Sequence, residues 1–159
     1  MTINDLATFR PQSAVQGMEP SGWAIVGLPT NVYAQIEQHV VTGTLLGRSA
    51  EERFTPYAYR WNYGDGTTTR VGTRGGTWQS YGIDEFSPTA TSHVYTAAGR
   101  YTISLTVEYT AEYRYAGGVW SPVTGTLTLR ANDLQITAGS ADTVLVARDC
   151  RRPPRGPGC

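Results

Sequence analysis

Trp61-Asn62-Tyr63-Gly64-Asp65-Gly66-Thr67, read with Ser92-His93-Val94-Tyr95-Thr96-Ala97-Ala98-Gly99-Arg100-Tyr101-Thr102-Ile103-Ser104-Leu105-Thr106-Val107, decides how the chain folds. The first stretch ends a run in which Tyr57, Tyr59, Trp61 and Tyr63 alternate with other residues. A pleated strand would place all four rings on one face. Gly64 and Gly66 flank Asp65, giving two positions free to take positive φ around a carboxylate that can accept bonds from nearby amides. In the second stretch a turn at Gly99 leads to Tyr101, Ile103, Leu105 and Val107 on one side and Arg100, Thr102, Ser104 and Thr106 on the other. Both read as strands of a half-buried antiparallel sheet.

The two motifs together resemble the PKD family of immunoglobulin-like domains. That family's pattern is a Trp-Asp-Phe-Gly-Asp-Gly strand end, then a His-x-Tyr and a Gly-x-Tyr-x-Val-x-Leu-x-Val strand. The match runs through Trp61, Gly64, Asp65, Gly66, His93, Tyr95, Gly99, Tyr101, Leu105 and Val107, with Asn62 and Tyr63 in place of the family's Asp and Phe. It covers roughly Val26 to Tyr109. The resemblance implies an all-β immunoglobulin-like sandwich of two antiparallel sheets, with Trp61 packed between them and Tyr95 near a tyrosine corner. It also implies that His93 serves structure, through a ring hydrogen bond to backbone or a polar neighbour. The layout, down to the ending Asp149-Cys150 to Gly158-Cys159, is similar to small secreted PKD-containing proteins of actinobacteria.

Composition agrees with an all-β reading: 10 Tyr, 4 Trp and abundant Thr and Val, punctuated by 18 Gly and 9 Pro. At 159 residues one domain is the default. All 13 basic residues are Arg and the formal net charge is zero, which gives no case for a nucleic-acid or anionic-membrane surface. No apolar run is long enough to insert in a bilayer. Met1-Thr2-Ile3-Asn4-Asp5-Leu6 carries neither the basic start nor the apolar stretch of a signal peptide. For a secreted or cell-surface protein, either Met1 is not the native start or the start codon is misplaced.

Along the chain, residues 1–22 read as an arm, and residues 23–147 as the sandwich. Val32, Ala34 and Ile36 alternate, and Val40 to Leu46 reads as a further strand. Ser49 to Glu52 reads as a turn. Residues 71–90, rich in Gly, read as a long loop that is functional or hides an edge strand. The alternation from Tyr101 continues through Tyr109, Ala111, Tyr113 and Tyr115, too long for an ordinary strand. With a turn at Ala116-Gly117-Gly118 and Val119, Val123, Leu127 and Leu129 returning, it predicts a protruding hairpin over about 110–130. Leu134–Ala138 and Thr143–Ala147 read as one or two further strands.

Residues 148–159 form a tail. Cys150 and Cys159 bracket a Pro- and Gly-rich octapeptide that closes easily, so a disulfide is expected in an oxidising compartment; the alternative is two thiols on a frayed end. Arg148, Arg151, Arg152 and Arg155 make the tail basic, which reads as solvated surface or weak attraction to anionic polymers.

Motifs of local chemistry are missing: there is no G-x-S-x-G, no phosphate loop and no C-x-x-C. The chain reads as no enzyme and as needing no cofactor. The candidate metal is calcium, which some PKD domains hold, with Asp65 joined by Asp84, Glu85 or backbone carbonyls. Trp78, Tyr81, Trp120 and Trp23 lie near turns, where rings can anchor a partner or stack on sugars, or else cap the sandwich ends. The leading expectation is a non-catalytic module for protein contact at a cell surface. One alternative is a carbohydrate- or wall-polymer-binding module using Trp78, Tyr81 or Trp120. A second is a structural subunit of a virion or filament, pairing through the hairpin or an open sheet edge.

Overall fold

Aromatic and β-branched residues spaced two apart bury one face of an extended chain, and most of this backbone is extended accordingly. The computed structural model describes residues 1–6 and 8–141. After a 3-10 turn at Ile3–Leu6 come β1 (Val15–Glu19), β2 (Trp23–Ile25), β3 (Pro29–Gln35), β4 (His39–Leu45), β5 (Arg48–Asn62) and β6 (Thr68–Val71). A short helix, α1 (Trp78–Tyr81), precedes β7 (Ser92–Val94), β8 (Gly99–Tyr115), β9 (Ser121–Pro122), β10 (Leu127–Arg130) and β11 (Leu134–Gly139).

The smaller sheet has the order β1-β3-β7, and the larger runs β2-β11-β8-β5-β4, with β6 added to β5 and β9 and β10 to β8. Pairing is antiparallel throughout except for β2 with β11. Side chains from both sheets share one core: Met18, Val32 and Ala34 from the smaller, and Phe54, Trp61, Ile103, Leu105, Val107 and Tyr109 from the larger. This is the all-β sandwich expected from the sequence.

Tyr57 does not share a face with Tyr59, Trp61 and Tyr63. The register against β8 shifts between Pro56 and Ala58, so that Pro56 opposes Tyr109 while Ala58 opposes Glu108. Tyr57 is the extra residue of a bulge. Inward positions change parity there, from Ala50, Glu52 and Phe54 to Tyr59, Trp61 and Tyr63, while β8 keeps one parity from Ile103 to Ala111. The Tyr57 hydroxyl instead lies 3.5 Å from Glu108 Oε1, on the side where Arg70 Nε (2.7 Å) and Arg60 Nε (3.4 Å) also reach that carboxylate.

The long β8 is present as expected, but it does not project as a lone hairpin. β5 accompanies it as far as Ala50↔Tyr115, and β4 flanks β5 in turn. Ser49 to Glu52, read as a turn, is strand; the chain reverses earlier, at Leu46 and Gly47, both with positive φ as a two-residue hairpin loop requires. Company on both sides satisfies backbone groups that a bare hairpin would leave to water. On the return, Leu127 and Leu129 pair with Tyr109 and Val107 and Val123 is buried, whereas Val119 at the turn is 87% exposed.

Residues 1–22, read as an arm, contribute β1 and four core side chains, Leu6, Phe9, Ala14 and Met18. Gln16 explains why this segment is fixed. Its side chain accepts a bond from the Trp61 indole (3.1 Å) and donates to the carbonyls of Ile103 (3.0 Å) and Asn132 (2.6 Å). The segment thus satisfies the polar atom of the central Trp. Thr143–Ala147, Cys150, Cys159 and the arginines of the tail lie outside the described residues.

Candidate interaction surface

The Gly64-Asp65-Gly66 turn and the His93 strand meet in space. Asp65 Oδ1 accepts from the Thr67 amide (3.1 Å), and Asp65 Oδ2 lies 2.6 Å from His93 Nε2. The His93 ring stacks on Tyr63 (4.2 Å between centroids, 9° between planes) and meets Tyr95 edge-on at 4.7 Å. The Tyr95 hydroxyl donates to the Tyr63 carbonyl (2.7 Å), and the Tyr63 hydroxyl to the Thr91 carbonyl (3.1 Å). Tyr101 stacks on Tyr95 at 4.6 Å. Burial works to raise the Asp65 carboxyl, but the bonds from His93 and Thr67 and the His93 charge outweigh it, and the net shift is downward.

Gly64 makes this closure possible. Its φ is +86°, and a Cβ there would lie 2.6 Å from the Thr102 carbonyl oxygen. Gly64→Ala is expected to destabilise the fold by about 2 kcal/mol or more, checked by urea denaturation. His93→Gln, which keeps a donor but loses both ring contacts, is expected to lower stability by about 1–2 kcal/mol. An unchanged denaturation midpoint would end the structural reading of His93.

Asp65 therefore holds two strands together. Among the described residues no three His, Cys, Asp or Glu side chains gather as metal ligands. The candidate rings also separate. Trp78 is 5% exposed, its indole donating to the Ser87 carbonyl (2.9 Å) and its ring lying against Phe86. It is interior and unavailable for stacking on a sugar, and it is the first residue of α1. That helix is a unit the sequence reading missed although both its signals are present: Thr77 caps it by accepting from the Ser80 amide (3.0 Å), and Gly82 ends it in a left-handed conformation. Trp120 lies on the long extension, with the guanidinium carbons of Arg53 and Arg114 each 4.4 Å from its ring centre. Trp23 is half-buried on β2, opposite Thr137. Tyr81, in contrast, is 48% exposed.

Around Tyr81 the loop between β6 and β7 is fastened to the smaller sheet. Fully buried Asn31 donates to Glu19 Oε2 (2.9 Å) and to the Gly76 carbonyl (2.8 Å), and accepts from the Thr89 hydroxyl (2.8 Å). Glu19 Oε2 also accepts from the Trp78 amide (2.9 Å). The Arg74 carbonyl accepts from the Ala34 amide (2.7 Å), so the loop adds itself briefly to the β3 edge. Between this loop and β3 lies an open cleft of about 600 Å³, lined by Gln12, Tyr33, Gln35, Arg74, Thr77 and Ser80 among others. Tyr81 stands beside it: a Cβ on Gly76, another lining residue, would be 3.3 Å from the Tyr81 ring. Burial, with Glu19 nearby, raises the Tyr33 hydroxyl pKa, so that ring presents a neutral donor. Arg74 reaches the Ile36 carbonyl (3.2 Å) and Glu37 (3.6 Å). Tyr33 and Arg74 carried no motif; only the Gly-rich surroundings of Arg74 marked the segment.

A family model of the PKD domain matches residues 29–113, more than half of the chain. The chain belongs to the PKD domain family. The match takes in both motif stretches as far as Tyr113 and the cleft loop between them, while β1, β2, β9, β10 and β11 lie outside it. No curated protein matches the sequence. PKD domains are non-catalytic immunoglobulin-like modules, typically extracellular, that mediate protein contacts. In this PKD domain no helix among the described residues is long and apolar enough to cross a membrane.

Proposed function

We propose that this PKD domain is a non-catalytic protein-binding module of the cell exterior, and that its contact surface is the cleft between β3 and the loop carrying α1, with Tyr81 at the rim. The observation that carries this is the fastening of an exposed, polar-lined loop by part-buried hydrogen bonds to Asn31 and Glu19. A loop ordered before binding loses little entropy on contact, which favours a specific protein partner. Tyr81, Tyr33 and Arg74 are residue types that commonly anchor such contacts. Family membership supports the same class of function. The polysaccharide reading is weaker, since of the three rings offered for stacking Trp78 is buried and Trp120 packs on two guanidinium groups.

Capture from a cell-envelope fraction on the immobilised domain tests the proposal. A protein retained by the wild type and lost with folded Tyr81→Ala and Arg74→Glu variants is the expected result. Retention of polysaccharide alone, or of a protein indifferent to both substitutions, would contradict it.

A further inference from the structure

The two ends of the larger sheet differ. At one end β2 has three residues; at the other β4 has seven, paired with β5 on one side and with no strand on the other among the described residues. Because the Leu46–Gly47 loop has two residues, Leu45↔Arg48 is the hydrogen-bonded pair that closes the hairpin. Counting back by twos makes Gly43, Val41 and His39 bonded positions as well. The amides and carbonyls of Val40, Thr42 and Thr44 therefore point out of the sheet, and all three residues are exposed.

Edges of this kind are usually blunted by charge, proline, a bulge or shortness. β4 has no charged residue, no proline and an unbroken register. At its tip Leu46 is 78% exposed with φ +51°, a left-handed conformation unfavourable for a leucine that gains it no burial.

We propose that β4 is the docking edge for a second copy of this chain, the two β4 strands pairing antiparallel about Thr42 and joining the two larger sheets. Charge and register both fit this occupant. The chain has zero formal net charge, so two copies do not repel at long range. In the next strand Glu51 and Arg53 already pair within the copy, with Arg114 and Glu112. Two-fold pairing sets Thr42 opposite Thr42 and Val40 opposite Thr44, with no like charges facing and two backbone bonds exchanged at each pair. The arrangement closes on itself as a dimer, because it consumes the edge of both copies.

Sedimentation velocity of the full chain over rising concentration is expected to show a monomer–dimer equilibrium. Thr42→Lys and Thr42→Asp each put like charges face to face across the two-fold, and each is expected to weaken the dimer about tenfold or more. An equimolar mixture of the two restores it. Thr42 is exposed, and unchanged thermal melts establish that both variants fold. A chain that stays monomeric to about millimolar concentration, or a dimer that neither substitution weakens, overturns the proposal. So does loss of a different captured protein in Thr42→Lys with no self-association in the wild type. A monomer that still captures an envelope protein through the Tyr81 cleft removes the dimer and leaves the protein-binding reading standing.

Discussion

Between about pH 4.5 and pH 7 the wild-type chain is expected to lose about 3 kcal/mol of stability, and Glu52→Gln is expected to lose almost none over the same window. Glu52 is fully buried, and neither carboxylate oxygen has a hydrogen-bonding partner among the described residues. It occupies an inward position on β5 between Ala50 and Phe54, with Val41 of β4 and Tyr113 of β8 in the opposing register positions. Burial disfavours the ionised form and pushes its pKa from 4.5 up to about 7. The sign follows from proton binding. Above pH 4.5 the unfolded chain releases this proton while the folded chain keeps it until about pH 7, so stability falls across the window and is level above it. At pH 8 Glu52→Gln is then expected to be the more stable protein, and at pH 4 the two are expected to agree within about 1 kcal/mol. Urea denaturation at a series of pH values measures this directly. A wild-type profile flat from pH 4.5 to 7 would show that Glu52 finds a partner or reaches water.

Asn31→Ala is the second substitution with a large expected effect. Removing the side chain takes one bond from Glu19, leaves the Gly76 carbonyl and the Thr89 hydroxyl short of a partner, and opens a space at a fully buried position. Destabilisation of about 3 kcal/mol is expected. The more telling readout is local. Hydrogen exchange at the amides of Trp78, Gly82 and Ile83, which are bonded within or beneath α1, is expected to accelerate more than exchange in β5 and β8. Equal acceleration everywhere would mean that Asn31 supports the sandwich as a whole and does not fasten the loop in particular.

How far the sequence carried the fold depended on whether a residue's role was local. Gly64, Asp65 and Gly66 announce a turn through their own backbone freedom and a short side chain, and the alternation from Tyr101 to Tyr115 announces a strand by its period. The bulge has a signal in the sequence too, Pro56, which cannot donate within a central strand, although the Tyr57-Tyr59-Trp61-Tyr63 alternation runs unbroken past it. Gln16 and Asn31 could not be read in advance, because their roles lie in bonds to Ile103, Asn132, Gly76 and Thr89, far away along the chain. The candidate surface was half legible for the same reason. Tyr81 stood out as a ring near glycines, and Trp78 stood out equally, though its indole bonds to the Ser87 carbonyl and packs on Phe86 in the interior. Tyr33 and Arg74 became neighbours only when the loop folded back on β3.

The protein-contact reading meets its most direct test in the affinity of a captured envelope protein for four forms of the domain, measured by biolayer interferometry beside thermal melts. Tyr81→Ala and Arg74→Glu are expected to weaken binding about tenfold or more while melting close to the wild type. Trp120→Ala, on the remote extension, is expected to bind as the wild type does. Binding that survives both cleft substitutions and is lost with Trp120→Ala would contradict the assignment and move the contact surface to the extension.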